Sequence, residues 1–289
     1  MATVGQIIDG KAISEQVKSK VKEGVSQMIE KGYRAPMLVV VLVGSRKDSM
    51  TYVRSKKKVA ADLGIVAIDK TYPETVTQDE LLQEVRSLNK DDSIDGILVQ
   101  LPLPSHINEE AILTEIDISK DVDGFHPINI GKLAMKGREP EFEPCTPRGC
   151  IELLDRTGIQ IEGKNAVILG RSNIVGLPVS MMLLKRNATV TICHSKTPNL
   201  PEKCREADIL IVAIGQAKLV KKDWVKPGAA VIDVGMNTLD NGKLCGDVDF
   251  EDVKPVASHI TPVPGGVGPM TIAMLLNNTL KSAQKKLIK

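Results

Sequence analysis

Short apolar runs alternate with amphipathic segments along the first half of the chain. Three of the runs predict buried β-strands: MLVVVLVG (37–44), IVAIDKTY (65–72) and DGILVQLPL (95–103). Segments at about 48–63 and 77–89 predict helices between these strands, and residues 11–30 predict a helix before them. The alternation of strand and helix predicts a parallel sheet with helices on its faces.

A second alternating series follows a stretch rich in proline and glycine. That stretch, GREPEFEPCTPRGC (137–150), is a candidate linker whose last residues begin a helix at about Pro147. Four later runs predict strands: NAVILG (165–170), ATVTICHS (188–195), ADILIVAIG (207–215) and AAVIDVG (229–235). The series predicts a second α/β domain, with a cleft between the two domains.

Three further segments of this half carry clear local signals. VGLPVSMMLLKRN, after the run at 165–170, predicts a helix, and MTIAMLLNNTLKSAQKKL predicts a terminal helix. The Asn-Gly pair in NTLDNGKLCGDVD predicts a β-hairpin.

Composition narrows the class of protein. The chain has 289 residues and 42% hydrophobic residues, which is enough for one large or two medium domains and argues against disorder. Its net charge of +2 gives no reason to expect nucleic acid or an anionic membrane as a partner. With three Tyr, three Phe and one Trp, it is also too poor in aromatics for a base-stacking platform.

Cysteines, histidines and the first residues bear on compartment and metal binding. The five cysteines are scattered without a CxxC motif, which favours reduced thiols in a cytoplasmic protein. MATVGQIIDG has neither an apolar signal core nor an Arg-rich transit pattern, and no apolar run reaches membrane-spanning length. The four histidines are too isolated in sequence to suggest a metal site.

Unusual polar residues fall where the predicted parallel strands of the first domain end. Tyr52 and Lys56 share one face of a helix near its start, although Tyr52 could simply cover apolar surface. Gln100 follows an apolar run, where it would be costly to bury without partners, although it could cap local backbone groups. KDVDGFHP (120–127) places Asp121 and Asp123 in a loop. Because ligands bind at the carboxyl edge of such a sheet, convergence there predicts a site.

The second domain offers a candidate anion site in VILGRSNIVGLP (167–178). Gly170 and Gly176 bracket Ser172 between a strand and a helix N-terminus, although an ordinary strand–helix turn would also explain them. The next strand is followed by CHSKT (193–197), which has no acid to bind a ribose hydroxyl. Ser195, Lys196 and Arg171 suit a 2′-phosphate, so NADP fits better than NAD, unless Arg171 is only a surface charge.

TPVPGGVGPMT (261–271) has three prolines and three glycines in eleven residues. Such a stretch fixes the backbone for close approach to a flat or bulky group, or forms a rigid interdomain crossover.

These segments together resemble a known family. TYVRSKKK, DGILVQLPLP, KDVDGFHP, PCTPRGC, GRSNIVGLP, CHSKT and TPVPGGVGPMT are similar, in order and over nearly the whole chain, to the methylenetetrahydrofolate dehydrogenase/cyclohydrolase family. No synthetase-sized extension is present, so the chain resembles the compact bifunctional form. DGFHPINIGKL is more like bacterial and plant members than the animal trifunctional protein.

The resemblance implies a fold, two reactions and a cofactor. It implies a folate-binding catalytic domain at 1–145, completed by a C-terminal helix at 270–289, and a Rossmann-like NADP-binding domain at 146–269. The enzyme would oxidise 5,10-methylenetetrahydrofolate with NADP⁺ and hydrolyse the methenyl product to 10-formyltetrahydrofolate. Members of the family are commonly homodimers.

The resemblance also implies residue roles. Folate would stack on Tyr52, Lys56 would be the catalytic group tuned by Gln100, and Asp123 would bind the pterin. Further substrate contacts are implied for Val99, Leu101, Pro264, Gly265 and Gly266. The backbone of the PGGVG segment, from Pro264 to Gly268, would line the folate pocket. Cofactor contacts are implied for Gly170, Arg171, Ser172, Ser195, Met236 and Thr271. Met236 stands where many members have Ile in a GIN turn.

Two alternative functions follow from the same residues. Short-chain dehydrogenases also use a Tyr-x-x-x-Lys pair, but there the pair follows the glycine-rich turn in one domain, whereas here it precedes that turn by more than a hundred residues. A folate- or nucleotide-binding protein without catalysis is the other alternative, and the presence of Lys56, Gln100 and Asp123 argues against it.

Overall fold

The structure is a computed structural model that describes residues 5–287; the predictions for residues 1–4 and 288–289 lie outside the described residues. Its strands, in chain order, are β1 (Gln6–Ile7), β2 (Met37–Val43), β3 (Val66–Tyr72), β4 (Gly96–Val99), β5 (Asn165–Leu169), β6 (Thr189–Cys193), β7 (Ile209–Val212), β8 (Ala230–Asp233), β9 (Asn237–Thr238), β10 (Leu244–Cys245) and β11 (His259–Ile260). Its α-helices are α1 (Gly10–Glu30), α2 (Lys47–Asp62), α3 (Gln78–Lys90), α4 (Glu109–Glu115), α5 (Pro127–Ala134), α6 (Cys145–Arg156), α7 (Gly176–Lys185), α8 (Leu200–Arg205), α9 (Phe250–Val253) and α10 (Val267–Lys286), and a 3₁₀ turn covers Lys222–Trp224.

The chain divides into two compact units. Among the described residues, the first unit contains 16–145 and 272–287, and the second contains 5–15 and 146–271. Each unit has its own parallel sheet and its own buried apolar cluster. The prediction of an α/β protein with two domains is therefore confirmed.

The sheet of the first unit has the order β3-β2-β4 and is parallel throughout. The central strand β2 is a nearly uninterrupted run of Val and Leu, and all but its first residue are buried because helices cover both faces. The expectation that the strand at 65–72 is buried is wrong: β3 is an edge strand, and Val66 and Ile68 are 43% and 39% exposed. An edge strand has a neighbour on one side only, so an apolar run alone does not place it in the core.

Both ends of α3 are capped by side chains. At its start, the Thr77 hydroxyl accepts from the Glu80 N–H and the Glu80 carboxylate accepts from the Thr77 N–H, which is a capping box. At its end, the Lys120 ammonium donates to the carbonyls of Leu88, Asn89 and Asp91 at 2.7–3.0 Å. The helix end thereby anchors the chain where the KDVDG loop begins.

The sheet of the second unit is a six-stranded parallel sheet in the order β1-β11-β8-β7-β5-β6. The chain crosses from one side of β5 to the other after β6, so the order reverses between β5 and β7. In doubly wound sheets ligands bind at the carboxyl ends of the strands beside this reversal. The predicted hairpin is also present, as β9 paired antiparallel with β10.

Two helices begin earlier than predicted. The helix expected at about Pro147 is α6, which begins at Cys145, so the last residues of the candidate linker are already helical. The terminal helix α10 begins at Val267, before the predicted start at 270. Within residues 5–287, no helix combines the length and the apolar content needed to cross a membrane.

Candidate active site

Lys56 and Gln100 form the centre of a polar site in the first unit. Lys56 lies on α2 one turn after Tyr52, and its side chain is 7% exposed. Its Nζ donates a hydrogen bond to Gln100 Oε1 at 2.9 Å. Gln100 directly follows β4, its backbone N–H donates to the Val41 carbonyl of β2 at 2.8 Å, and its Nε2 donates to the Leu101 carbonyl at 2.9 Å. Gln100 therefore both caps local backbone and holds the lysine.

Asp123 is electrostatically coupled to Lys56. Burial lowers the pKa of the Lys56 ammonium, while attraction to Asp123 opposes that shift. Burial also raises the pKa of Asp123, and attraction to Lys56 and the neighbouring Cys145 thiol oppose the rise. Both pKa shifts favour the uncharged forms, which are the amine of Lys56 and the carboxylic acid of Asp123.

Asp121 holds the loop that carries Asp123. Its buried carboxylate accepts from the N–H groups of Gly124, Phe125 and His126 at 2.8–3.3 Å and from Asn129 Nδ2 at 2.8 Å. Burial raises the pKa of Asp121 to about 7, although these donors oppose the rise. The two acids of the motif thus differ: Asp121 is held by backbone amides and Asn129, and Asp123 interacts electrostatically with Lys56.

Cys145, at the first turn of α6, was missed by sequence reasoning. Its thiol is fully buried and donates to the Val122 carbonyl at 3.3 Å. Burial raises the pKa of this thiol well above its usual value, and the Asp123 charge adds to the effect, so the thiol stays protonated. No local motif signals this contact, because it depends on the fold bringing α6 to the Asp123 loop.

The glycine turn of the second unit is closely packed. Gly170 has φ +115°, and a Cβ at this position would lie 2.2 Å from the Ala213 carbonyl oxygen. A Cβ on Gly176 would lie 2.3 Å from the Gly170 carbonyl oxygen, so both positions require glycine. Ser172 Oγ accepts from the Val175 N–H at 3.2 Å, which orders the start of α7. Arg171 and Ser172 are exposed at this turn.

A tight turn follows β6 next to the glycine turn. The Thr197 N–H donates to the His194 carbonyl at 2.8 Å, which leaves Ser195 and Lys196 exposed at its tip. The Gly170 N–H donates to the Cys193 carbonyl at 2.9 Å and joins the two turns. The exposed side chains of the two turns are the hydroxyls of Ser172 and Ser195 and the cations of Arg171 and Lys196, a donor set that fits a phosphate.

Two buried aspartates, which sequence reasoning also missed, tie the loops after β7 and β8 together. The Asp247 carboxylate accepts from the N–H groups of Ile214, Gly215 and Gln216 at 2.7–2.9 Å. Asp233, the last residue of β8, accepts from the N–H groups of Asp247 and Val248 at 3.1 and 2.9 Å. Burial raises the pKa of Asp233 to about 7. The loops at the carboxyl edge are thereby fixed.

The remaining predicted residues of the second unit lie at the ends of other elements. Met236 follows β8 and is 47% exposed, and Thr271 Oγ1 lies 2.9 Å from Thr146 Oγ1. The PGG segment follows β11: the Gly265 carbonyl accepts from the Lys11 N–H at 3.0 Å, and Gly265 has φ +109°. The structure thus brings together Lys56, Gln100 and Asp123 in the first unit. In the second unit it gathers the glycine turn and Ser195.

Comparison with known proteins identifies the family. The protein-family model for the tetrahydrofolate dehydrogenase/cyclohydrolase catalytic domain matches residues 8–123. The family model for the NAD(P)-binding domain of the same enzymes matches residues 144–287. Bifunctional protein FolD 2 of Arabidopsis thaliana is 57% identical over 286 residues, covering 97% of this chain and 96% of that protein. Bifunctional protein FolD of Listeria innocua serovar 6a is 57% identical over 282 residues, covering 98% of each.

Solved structures agree with this assignment. The bifunctional FolD methylenetetrahydrofolate dehydrogenase/cyclohydrolase of Campylobacter jejuni has a TM-score of 0.94 and 51% identity, covering 97% of this chain and 99% of that one. The FolD enzyme of Trypanosoma brucei, complexed with NADP cofactor and inhibitor, has a TM-score of 0.95 and 42% identity, covering 99% of each chain. The motif resemblance is confirmed, and the chain belongs to the tetrahydrofolate dehydrogenase/cyclohydrolase family.

Proposed function

We propose that this chain carries out both reactions of its family. It oxidises 5,10-methylenetetrahydrofolate to the 5,10-methenyl form with NADP⁺ and hydrolyses the methenyl form to 10-formyltetrahydrofolate. The observation that carries the proposal is the buried Lys56 amine, held by Gln100 at 2.9 Å and coupled to Asp123. Lys120 is also buried, but its ammonium caps α3 through three backbone carbonyls, whereas Lys56 donates to the Gln100 amide beside Asp123 and so is held where its amine can transfer a proton.

The hydrolysis needs a group that can take and return a proton. Water that attacks the methenyl carbon must lose a proton, and N5 must gain one when its bond to that carbon breaks. Lys56 Nζ can do both if it begins as a neutral amine, and burial favours that form. Gln100 Oε1 accepts one amine N–H and so directs the nitrogen lone pair elsewhere. The neighbouring methenyl cation further disfavours the ammonium form.

The oxidation makes different demands on the protein. No proton needs to move when hydride leaves the methylene carbon, so the residues mainly bind and orient the folate. We assign the flat face of Tyr52 to stacking and the Asp123 carboxyl to the pterin. Val99, Leu101 and the backbone of Pro264, Gly265 and Gly266 are assigned further folate contacts.

The residues at the carboxyl edge of the second unit fit NADP. When bound, the oxidised nicotinamide supplies the hydride acceptor. Gly170 and Gly176 allow the tight turn between β5 and α7, and the exposed Arg171, Ser172 and Ser195 offer donors for a 2′-phosphate. Met236 and Thr271 are assigned to the same cofactor. We accordingly assign folate to the predicted domain at 1–145 with the C-terminal helix, and NADP to the predicted domain at 146–269. Residues 5–15 are an exception to the predicted bounds, because β1 pairs with β11 and these residues belong to the NADP-binding unit.

We further propose a homodimer, without nucleic acid or membrane partners, in the cytoplasm. The edge strand β3 supports the dimer, because Val66 and Ile68 expose apolar side chains that a second copy could cover. The five buried, unpaired cysteines support a reducing compartment. Sedimentation of the wild type and of Ile68→Lys tests the dimer: a monomeric wild type would refute it.

A spectrophotometric experiment tests the two activities. Purified protein is given methylenetetrahydrofolate with NADP⁺ or NAD⁺, and methenyltetrahydrofolate and reduced nucleotide are followed together. In a separate reaction methenyltetrahydrofolate is supplied directly, and its loss is compared with the uncatalysed rate in the same buffer. Oxidation with a preference for NADP⁺ and accelerated hydrolysis are expected. Tight folate binding with neither reaction would support a binding protein instead.

A further inference from the structure

Asn278 places a buried amide next to the loop of Asp123. It lies on α10, is 8% exposed, and belongs to the same unit as Lys56 and Asp123. Its Nδ2 donates to the Val122 carbonyl at 2.9 Å and to the Glu143 carbonyl at 3.1 Å, and it lies 3.7 Å from Cys145 Sγ. One amide group therefore contacts three acceptors from two separate segments of the chain.

All three acceptors flank Asp123. Val122 directly precedes it, and its carbonyl also accepts from the Cys145 thiol. The Cys145 N–H donates to the Asp123 carbonyl at 3.3 Å. A Cβ on Gly124 would lie 2.6 Å from the backbone of Glu143 and Pro144, so the two segments are in close contact on the other side of Asp123 as well. The Asn278 amide therefore links the loop of Asp123 to the segment at Glu143, and it does so at the residue next to Asp123.

The attachment of α10 does not depend on this amide. Leu276 and Leu280 of the same helix are buried, and Ser282 Oγ donates to the Ser119 carbonyl at 2.8 Å. Apolar burial and the Ser282 bond hold the helix on the unit, so Asn278 can be changed without detaching it. The polar amide of Asn278 therefore serves to hold the loop that carries Asp123.

We propose that Asn278 is a positioning residue for the hydrolysis site, which fixes Asp123 relative to Lys56 through the Val122 carbonyl and the Cys145 thiol. This inference rests on the proposed function, since it assigns the amide to that same site. The charged and titratable groups that face Asp123 are Lys56 from α2, Asp121 from its own loop and Cys145 from α6.

The test replaces Asn278 with leucine and uses the adjacent asparagine as a control. Asn278→Leu keeps the size and burial of the side chain but removes both N–H donors. Asn277 is exposed on the same helix, so Asn277→Leu makes the same chemical change away from the site. Asn278→Ser, which keeps one donor, serves as a second variant if the leucine variant does not fold.

The expected result is a larger loss in hydrolysis than in oxidation, because both reactions use Asp123 to bind the pterin and only hydrolysis depends on the pKa of Lys56. With methenyltetrahydrofolate supplied directly, kcat of Asn278→Leu should fall about tenfold, the effect of one lost hydrogen bond of typical strength. Asp123 raises the pKa of Lys56 by attraction, so a looser Asp123 should move the rising limb of the pH–rate profile to lower pH, by roughly half a unit. Asn278→Ser should show a smaller shift in the same direction. KM for NADP⁺ should stay within about twofold of wild type.

Three outcomes would overturn the inference. They are a pH profile identical to wild type in both Asn278 variants, an equal loss in oxidation and hydrolysis, and the same shift in Asn277→Leu. A wild-type protein without hydrolysis would instead refute the proposed function itself, and the inference with it. The wild-type assay therefore separates the two failures.

Discussion

Replacing Lys56 with methionine removes the amine from the buried site and leaves a side chain of similar length. The structure gives a bound on the cost to stability. The lost hydrogen bond leaves Gln100 Oε1 without its lysine donor, which costs about 1–3 kcal/mol if water cannot replace it. Removing the buried amine offsets part of this, because the methionine thioether has no strongly polar group to desolvate. The free energy of unfolding should therefore change by less than about 2 kcal/mol, and the variant should fold.

The effect on hydrolysis should be larger than the effect on stability. Loss of a general base or acid typically costs about 10²–10⁴-fold in rate, which is about 2.7–5.4 kcal/mol at 1.36 kcal/mol for each tenfold. Oxidation needs no proton transfer, so Lys56→Met should lose less of it, mainly through altered folate placement. The hydrolysis assay must receive methenyltetrahydrofolate directly, so that slow oxidation cannot hide the result.

Lys57 offers a matched control one residue away. Its side chain is 50% exposed and pairs with Asp69 at 2.8 Å, so Lys57→Met makes the same change on the solvated side of α2. Lys57→Met should keep both activities within about twofold, since exposed ion pairs contribute little. Hydrolysis at wild-type rate in Lys56→Met, or a larger loss in oxidation than in hydrolysis, would remove Lys56 from the role of proton-transfer group.

Three more predictions concern the cofactor, the folate face and pH. Arg171→Ala should raise KM for NADP⁺ about 10–100-fold and leave KM for NAD⁺ nearly unchanged, because the lost charge-assisted contact involves the extra phosphate; equal increases would contradict this. Tyr52→Phe should keep most folate affinity, measured by titration calorimetry, and Tyr52→Ala should lose much more, since only the alanine removes the ring face; equally weak binding would exclude stacking. The folded state raises the pKa of Asp233 to about 7, so this group stabilises the fold at low pH and that contribution is lost as pH rises from about 4 to about 7. The melting temperature of wild type minus that of Asp233→Asn should fall over this range and level off above it; a constant difference would refute the raised pKa.

Much of the fold could be predicted from local pattern. The runs that became β2 and β4 are apolar and short, and the segment between β2 and β3 repeats with helical spacing. Lys56 and Gln100 could be placed near one sheet edge because parallel strands end together. The predicted burial of β3 failed because the pattern of one strand does not show how many neighbours the strand has in the sheet.

The supporting residues of the site could not be predicted in this way. Asn278 contacts Val122 across 156 residues of chain, and Asp247 contacts Ile214 across 33. Each contact is set by how whole elements pack, and neither residue stands in a local motif that requires its polarity. Cys145 lies in the PCTPRGC segment, but its role could not be predicted, because its contact with the Val122 carbonyl arises from the position of α6.

The hydrogen bonds of Asp247 have a consequence for the dynamics of the second unit. Three consecutive amides, those of Ile214, Gly215 and Gln216, depend on one carboxylate, and that residue is itself held by Asp233. These amides should open to solvent as one cooperative unit in hydrogen exchange, since losing the carboxylate releases all three. Ordering three loop residues costs about 3–6 kcal/mol of conformational free energy, and here the ordering takes place during folding and not on ligand binding. A ligand at this edge would therefore meet a rigid loop, and little of its affinity would be lost to ordering the backbone.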